Sequence, residues 1–345
     1  MNMNISNNIT APILLVAAML ILILFQSVFF VSDGVIYTEP AVTDGSVNTN
    51  IANAGADGGS AGDFIIYNNI KYKPDKFFIL TVISDICAFL LTAVFYVKLK
   101  GDGYLKNLKL NLPRNLKYLP LSIYMFFMLI SGVVLINSLL FYSGGAAVNP
   151  ENVLPFIIDT GGNPVYDMGV LISLIILPAF CEEFFFRSVL SAEYEKYGAF
   201  CAVMITSSAF ALSHFSFEFF PSYFFAGLIL YITAKATNSV LFAVILHAGY
   251  NFFNIYLWDK LSGVLTFEQN RFIFMFIAAI IFIGSLYFVL DALEIIYYKK
   301  AYNNEPSPVY SSKGKNKSAW AVNFIKSLIS PFLAAVVIFF IYINI

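Results

Sequence analysis

Residues 168–190 read MGVLISLIILPAFCEEFFFRSVL. The segment is long and apolar enough to cross a bilayer, because a spanning helix needs about 20 predominantly apolar residues. Yet its C-terminal third carries Glu182, Glu183 and Arg187. An ionisable group inside a span costs about 2.5–3.5 kcal/mol on insertion scales, so such groups persist where they pair or perform a function. The expected fold is accordingly a membrane-spanning helical bundle with a polar site inside it.

Eight further apolar stretches flank this one, at 11–31, 77–97, 119–142, 199–215, 223–236, 240–258, 272–298 and 322–345. The stretch at 11–31 exceeds a signal-peptide core, follows no basic region and shows no A-x-A site, so it reads as a helix. The fold class expected is all-α, a polytopic transmembrane bundle of about 8–9 spanning helices. Composition agrees. Of the 345 residues, 59% are hydrophobic and 12% charged, against about 25% charged in soluble domains. The net charge of -1 leaves no nucleic-acid footprint. Cys87, Cys181 and Cys201 sit in apolar runs without disulfide or zinc spacing and read as buried small hydrophobes. The 37 Phe and 21 Tyr read as lipid-facing bulk and interfacial anchors.

The connections differ in charge. Residues 32–76 are rich in Gly, Asn, Ser and Asp, and 143–167 contain no Lys or Arg. Residues 98–117 carry six basic side chains (Lys98, Lys100, Lys106, Lys109, Arg114, Lys117), and 299–326 carry six more. Cytoplasmic loops are enriched in Lys and Arg, so nine spans imply a cytoplasmic N-terminus and an external C-terminus. Three regions are expected: N-terminal helices over 1–160 with an extracytoplasmic loop at 32–76, a core at 165–258, and C-terminal helices over 259–345.

Within the 168–190 stretch, Glu183 and Arg187 are four apart and share a helix face, whereas Glu182 is rotated about 100° away. Pro178 can kink the helix and free a carbonyl. Taken alone, the charges could simply mark a span's end and snorkel to the interface. The two histidines of the chain, His214 and His247, weigh against that, because both fall in the apolar stretches that follow. His247 and Asn251 are again four apart. Glu182 and His214 flank the turn near Tyr197-Gly198 at similar distances, so an antiparallel hairpin brings them to similar height. His247 reaches that height only if this hairpin protrudes beyond the turn near Asn238 by a couple of helical turns. Asp85 lies near mid-span in its own helix and is a candidate to support the site; Asp291 and Glu294 read as interfacial.

Glu182-Glu183-x-x-x-Arg187, Phe210-x-x-x-His214 and His247-x-x-x-Asn251, in that order, resemble the three-motif signature of the CPBP family. These are the CAAX prenyl proteases and bacteriocin-processing enzymes, also called Abi intramembrane peptidases. Thr237-Asn238-Ser239 resembles the small-residue turn before the last motif. The resemblance covers roughly 165–258, about a quarter of the chain. It implies that Glu182 is the base that activates water, assisted by His214. It implies that His247 and Asn251 hold the scissile carbonyl as it becomes an oxyanion, that Glu183 and Arg187 pair, and that Phe210 packs beside His214. The chemistry is coherent: a carboxyl held out of bulk water is suited to moving a proton near neutral pH, and donors in a dry site stabilise developing negative charge strongly.

No cofactor is firmly implied. Glu182, His214 and His247 could form a His2Glu zinc site with an open position, but the helical HExxH motif is absent and Asn251 suits an oxyanion role better. The expected partners are a peptide or lipidated protein substrate and membrane lipids, not nucleic acid. Nothing resembles a eukaryotic targeting signal, so a bacterial cell membrane is expected, with a bacteriocin-like peptide or membrane regulator as substrate beside a prenylated C-terminus. The rival is a non-catalytic immunity or membrane-partner binding protein. A transporter ranks below both, because no internal repeat is visible.

Overall fold

The computed structural model describes residues 7–25, 35–36, 64–67, 70–108, 110, 118–144, 156–258, 267–302 and six positions between 334 and 341. Within them the chain is mainly helical. Eight helices follow one another: α1 Asn7–Leu24, α2 Pro74–Lys100, α3 Leu119–Gly144, α4 Pro164–Glu195, α5 Ala199–Leu212, α6 Phe220–Thr237, α7 Val240–Leu257 and α8 Phe267–Tyr302. Local chemistry sets their ends. Proline at the first helical position, where no backbone donor is needed, starts α2 at Pro74 and α4 at Pro164. The Asn163 side chain caps α4 by accepting from the Val165 N–H at 3.0 Å. Asn238, left-handed at φ 52°, ends α6.

Five helical segments are long and apolar enough to cross a membrane: Pro74–Lys100, Leu119–Leu140, Pro164–Glu195, Val240–Leu257 and Phe272–Tyr298. Pro12–Leu24 and Ala199–Leu212 are apolar but shorter. Eight of the nine expected stretches thus coincide with helices, although fewer have a full spanning length. The ninth, at 322–345, lies mostly outside the described residues, and its six described positions are helical.

α4, α5, α6 and α7 form the centre. α5 packs on α6, α6 on α7 and α7 on α4, while α2 closes the far side of α4 and α3 braces α6 and α7. α5 and α6 approach so closely that a Cβ at Gly227 would stand 2.9 Å from Ser207 Cα. α8 lies on α3 and exposes Phe272, Phe276, Ile280 and Ile283 on its other side, as suits a lipid-facing helix. At one end of the bundle, Lys100 and Lys196 both pair with Glu193, at 3.4 and 2.7 Å, and Lys235 pairs with Glu195 at 2.8 Å. The last turns of α2, α4 and α6 therefore share one charged rim.

The opposite end adds one unexpected feature to the mainly helical bundle. A small antiparallel sheet of order β1-β3-β2-β4 joins β1 Val35–Ile36, β2 Phe64–Tyr67, β3 Ile70–Tyr72 and β4 Phe156–Asp159. β2 and β3 pair as Ile66↔Lys71, and β2 and β4 as Ile65↔Ile158. The polar composition of 32–76 masks strands of only two to four residues, whose alternation is too brief to register. Ile65 and Tyr72 of the sheet bury against Phe77, Phe78, Val170 and Leu174 of α2 and α4.

Candidate active site

Two carboxylates, one guanidinium and one imidazole meet in the middle of the bundle. Glu183 Oε1 lies 3.0 Å from Arg187 Nη1 and 2.9 Å from His247 Nδ1. Glu183 is 0% and Arg187 1% exposed. The i,i+4 pair expected within α4 is therefore formed. The second partner, His247 on α7, joins across 64 residues of sequence and has no local signature. Arg187 also donates through Nη2 to the Gly227 carbonyl at 3.4 Å, and its guanidinium lies 4.4 Å from the centre of the Phe210 ring. The Gly227 carbonyl and the rings of Phe210 and Phe186 thus add to the surroundings of the buried cation.

The hairpin register follows from this contact. Glu183 precedes Tyr197 by 14 residues and His247 follows Asn238 by 9. With the two side chains touching, the α4–α5 turn extends beyond the α6–α7 turn by roughly 7 Å, at about 1.5 Å per residue. The hairpin protrudes as required, by about one and a half turns.

His214 stands just outside α5, not within it as the apolar run to residue 215 implies. The helix ends at Leu212, and Phe215 takes φ 52°. The backbone N–H groups of His214 and Phe215 bond to Ala211 and Leu212, at 3.3 and 3.2 Å, a three-residue tightening typical of helix ends. This deprives the Phe210 carbonyl of its ordinary donor. The His214 Nδ1–H and the Ser213 hydroxyl each reach it at 2.8 Å. The Tyr223 ring stacks on the imidazole at 3.9 Å between centres, and Phe210 packs at 4.8 Å, in the position expected for it. Donation from Nδ1 directs Nε2 of a neutral His214 to exchange a proton.

Asn251 sits one turn along α7 from His247. Its Nδ2 donates to the Leu174 carbonyl at 3.5 Å. Leu174 is four residues before Pro178, which cannot supply the helical N–H. The carbonyl freed by proline is thus taken by the amide of a different helix. α4 is also interrupted by π-helical turns at Leu171–Ile176 and Phe184–Leu190, on either side of Glu182 and Glu183; such turns recur at functional sites.

Glu182 is 9% exposed, and its Oε2 has no hydrogen-bond partner. It interacts electrostatically with His247, Asp85, Glu183 and Arg187. Glu182, His214 and His247 do not converge as ligands: among the described residues, no three His, Cys, Asp or Glu side chains are arranged to hold a metal ion. His247 Nδ1 is already turned to Glu183, and His214 Nδ1 to a carbonyl. The arrangement does not fit the alternative His2Glu zinc set. What it offers is a carboxylate outside the Glu183–Arg187–His247 contacts, two oriented imidazoles and a carboxamide.

No curated protein and no solved structure matches the chain. A family model does match, and it covers the helices that build this cluster. Residues 164–253, about a quarter of the chain, match a family model described as type II CAAX prenyl endopeptidase Rce1-like, a model of the CPBP family.

Proposed function

We propose that the protein is an intramembrane endopeptidase that hydrolyses a peptide bond in a membrane-associated or prenylated peptide or protein. The observation that carries this reading is the pairing of Glu183 with both Arg187 and His247, inside the segment that matches the prenyl endopeptidase family. That pairing ties down three polar groups and leaves the neighbouring Glu182 uncommitted.

In this reading Glu182 takes a proton from water, helped by His214, and the hydroxide attacks the scissile carbonyl carbon. The carbonyl oxygen becomes an oxyanion. Asn251 offers it the amide hydrogen not used on Leu174. To serve as the second donor, His247 must carry hydrogens on both ring nitrogens, one for Glu183 and one for the oxyanion. The proton held by the Glu182–His214 pair then passes to the leaving amine. Loss of one oxyanion donor costs roughly 3–4 kcal/mol in comparable sites. Arg187 acts indirectly, by fixing Glu183. A cytosol-facing site in a bacterial membrane, with the N-terminus inside, is the companion proposal, supported by the basic stretches at 98–117 and 299–326.

The test is cleavage of prenylated and unmodified peptides by purified protein, with Glu182→Ala alongside. Cutting by wild type that disappears in the variant supports the proposal. Equal cutting by both sinks the assignment of Glu182.

A further inference from the structure

Tyr223 has no part in the scheme above, yet its ring lies directly on a residue that does. The His214 imidazole touches two aromatic rings that are not alike. Phe210 packs at 4.8 Å between centres but is tilted by 59°, and the Arg187 guanidinium already lies 4.4 Å from the centre of that ring. Tyr223 lies at 3.9 Å and only 22° from parallel, so its face covers the imidazole. His214 needs such support. It stands beyond the last turn of α5, next to the left-handed Phe215, where no helical backbone sets its direction. Its contact through Nδ1 with the Phe210 carbonyl, at 2.8 Å, fixes one atom of the ring and not the plane of the ring.

Tyr223 is itself held. It belongs to the first turn of α6, which begins at Phe220-Pro221, and its N–H donates to the Phe219 carbonyl at 3.0 Å. The Phe219 N–H donates to Ser216 Oγ at 3.3 Å, which ties the chain just after His214 to the start of α6. The neighbouring Ser222 is buried, and its hydroxyl donates to Asn137 Oδ1 of α3. α3 thus anchors the turn that carries Tyr223.

We infer that Tyr223 is a positioning residue that fixes the plane of His214 and stabilises its imidazole while it carries a second proton. In the peptidase scheme Nε2 of neutral His214 accepts the proton that Glu182 takes from water, and the imidazolium later gives it to the leaving amine. A cation within about 6 Å of an aromatic centroid is attracted by the electron-rich face. Tyr223 supplies that attraction only while the proton is on His214, so it favours the charged stage of the reaction over the resting site. The effect belongs to the ring. Phenylalanine retains it and an aliphatic side chain does not.

The part of this inference that concerns rate rests on the peptidase reading; the stack itself does not. Two measurements on the full-length protein separate them. In the first, proton NMR follows the imidazole C–H signals. The chain has two histidines, and the signals that vanish in His214→Gln are those of His214. A stacked aromatic face shifts such signals upfield. Tyr223→Leu should return them downfield, and Tyr223→Phe should leave them in place. Signals unmoved by Tyr223→Leu overturn the stack. In the second, kcat and KM are measured on a farnesylated peptide. Tyr223→Leu should lower kcat roughly tenfold to thirtyfold with KM within about twofold, and Tyr223→Phe should stay within about threefold of wild type. Phenylalanines bearing successively more ring fluorine at position 223 keep the shape and drain electrons from the face, and kcat should fall with each addition. Equal loss in Tyr223→Phe and Tyr223→Leu, or a flat fluorine series, overturns the inference. If wild type cuts no peptide, the peptidase reading fails and the NMR result decides the stack alone.

Discussion

Adjacent glutamates in α4 experience different circumstances. Each keeps one oxygen without a partner, but the other oxygen of Glu183 is held by Arg187 and His247. Their isosteric replacements should therefore diverge. Glu183→Gln leaves a buried guanidinium without its counter-ion and should cost about 3–5 kcal/mol of stability, read as a large fall in melting temperature in detergent. Glu182→Gln should alter stability by less than about 1 kcal/mol yet abolish cleavage. Comparable destabilisation by both would remove the distinction between a structural and a working carboxylate. Arg187→Lys should also fail to rescue, because a point charge provides neither the fork to Gly227 nor the flat face against Phe210. Much of this site is legible in the sequence, since i,i+4 spacing alone pairs Glu183 with Arg187 and aligns His247 with Asn251. The link from His247 to Glu183 is not, because it depends on how far one hairpin slides past another. The displacement of His214 to a position outside α5 is equally hidden, because apolar periodicity runs on through Phe215 while the backbone turns.

Helix geometry explains how these side chains converge. α4 is broken three ways, by Pro178 and by π-helical turns before and after the glutamates. Each break rotates the residues beyond it relative to a regular helix. Pro178 is visible in the sequence, but π-helical turns have no compositional mark and were not expected. The α5–α6 contact is a close support of the site, because Gly227 both admits Ser207 and presents its carbonyl to Arg187. Gly227→Ala should force these helices apart and destabilise the protein by about 1–3 kcal/mol, with a parallel loss of activity. A thermal melt of the alanine variant matching that of wild type would show that the helices are free to separate without consequence.

At the scale of the molecule, bilayer-length counting recovers the order of the helices, and charge asymmetry suggests their orientation. Reporter fusions at residues 110 and 310 should be cytosolic, and fusions at 50 and 150 external. A cytosolic reporter at the C-terminus would refute nine crossings. The structure adds a parity argument that the sequence lacks. β2 and β4 are hydrogen-bonded neighbours, so the chain between them must cross the membrane an even number of times, and α2 and α3 supply two crossings.

That small sheet also imposes an order of events on synthesis. The β2–β3 hairpin is local and can form early, but β4 begins at Phe156, 89 residues after Tyr67. Its edge must wait while α2 and α3 are threaded out and back, the kind of distant contact that is slow to reward the chain. β4 joins just before α4 emerges with the two glutamates. Sheet completion is therefore a checkpoint: a chain that has inserted α2 or α3 the wrong way round cannot zip its strands together, and its polar helix arrives to find no place prepared for it.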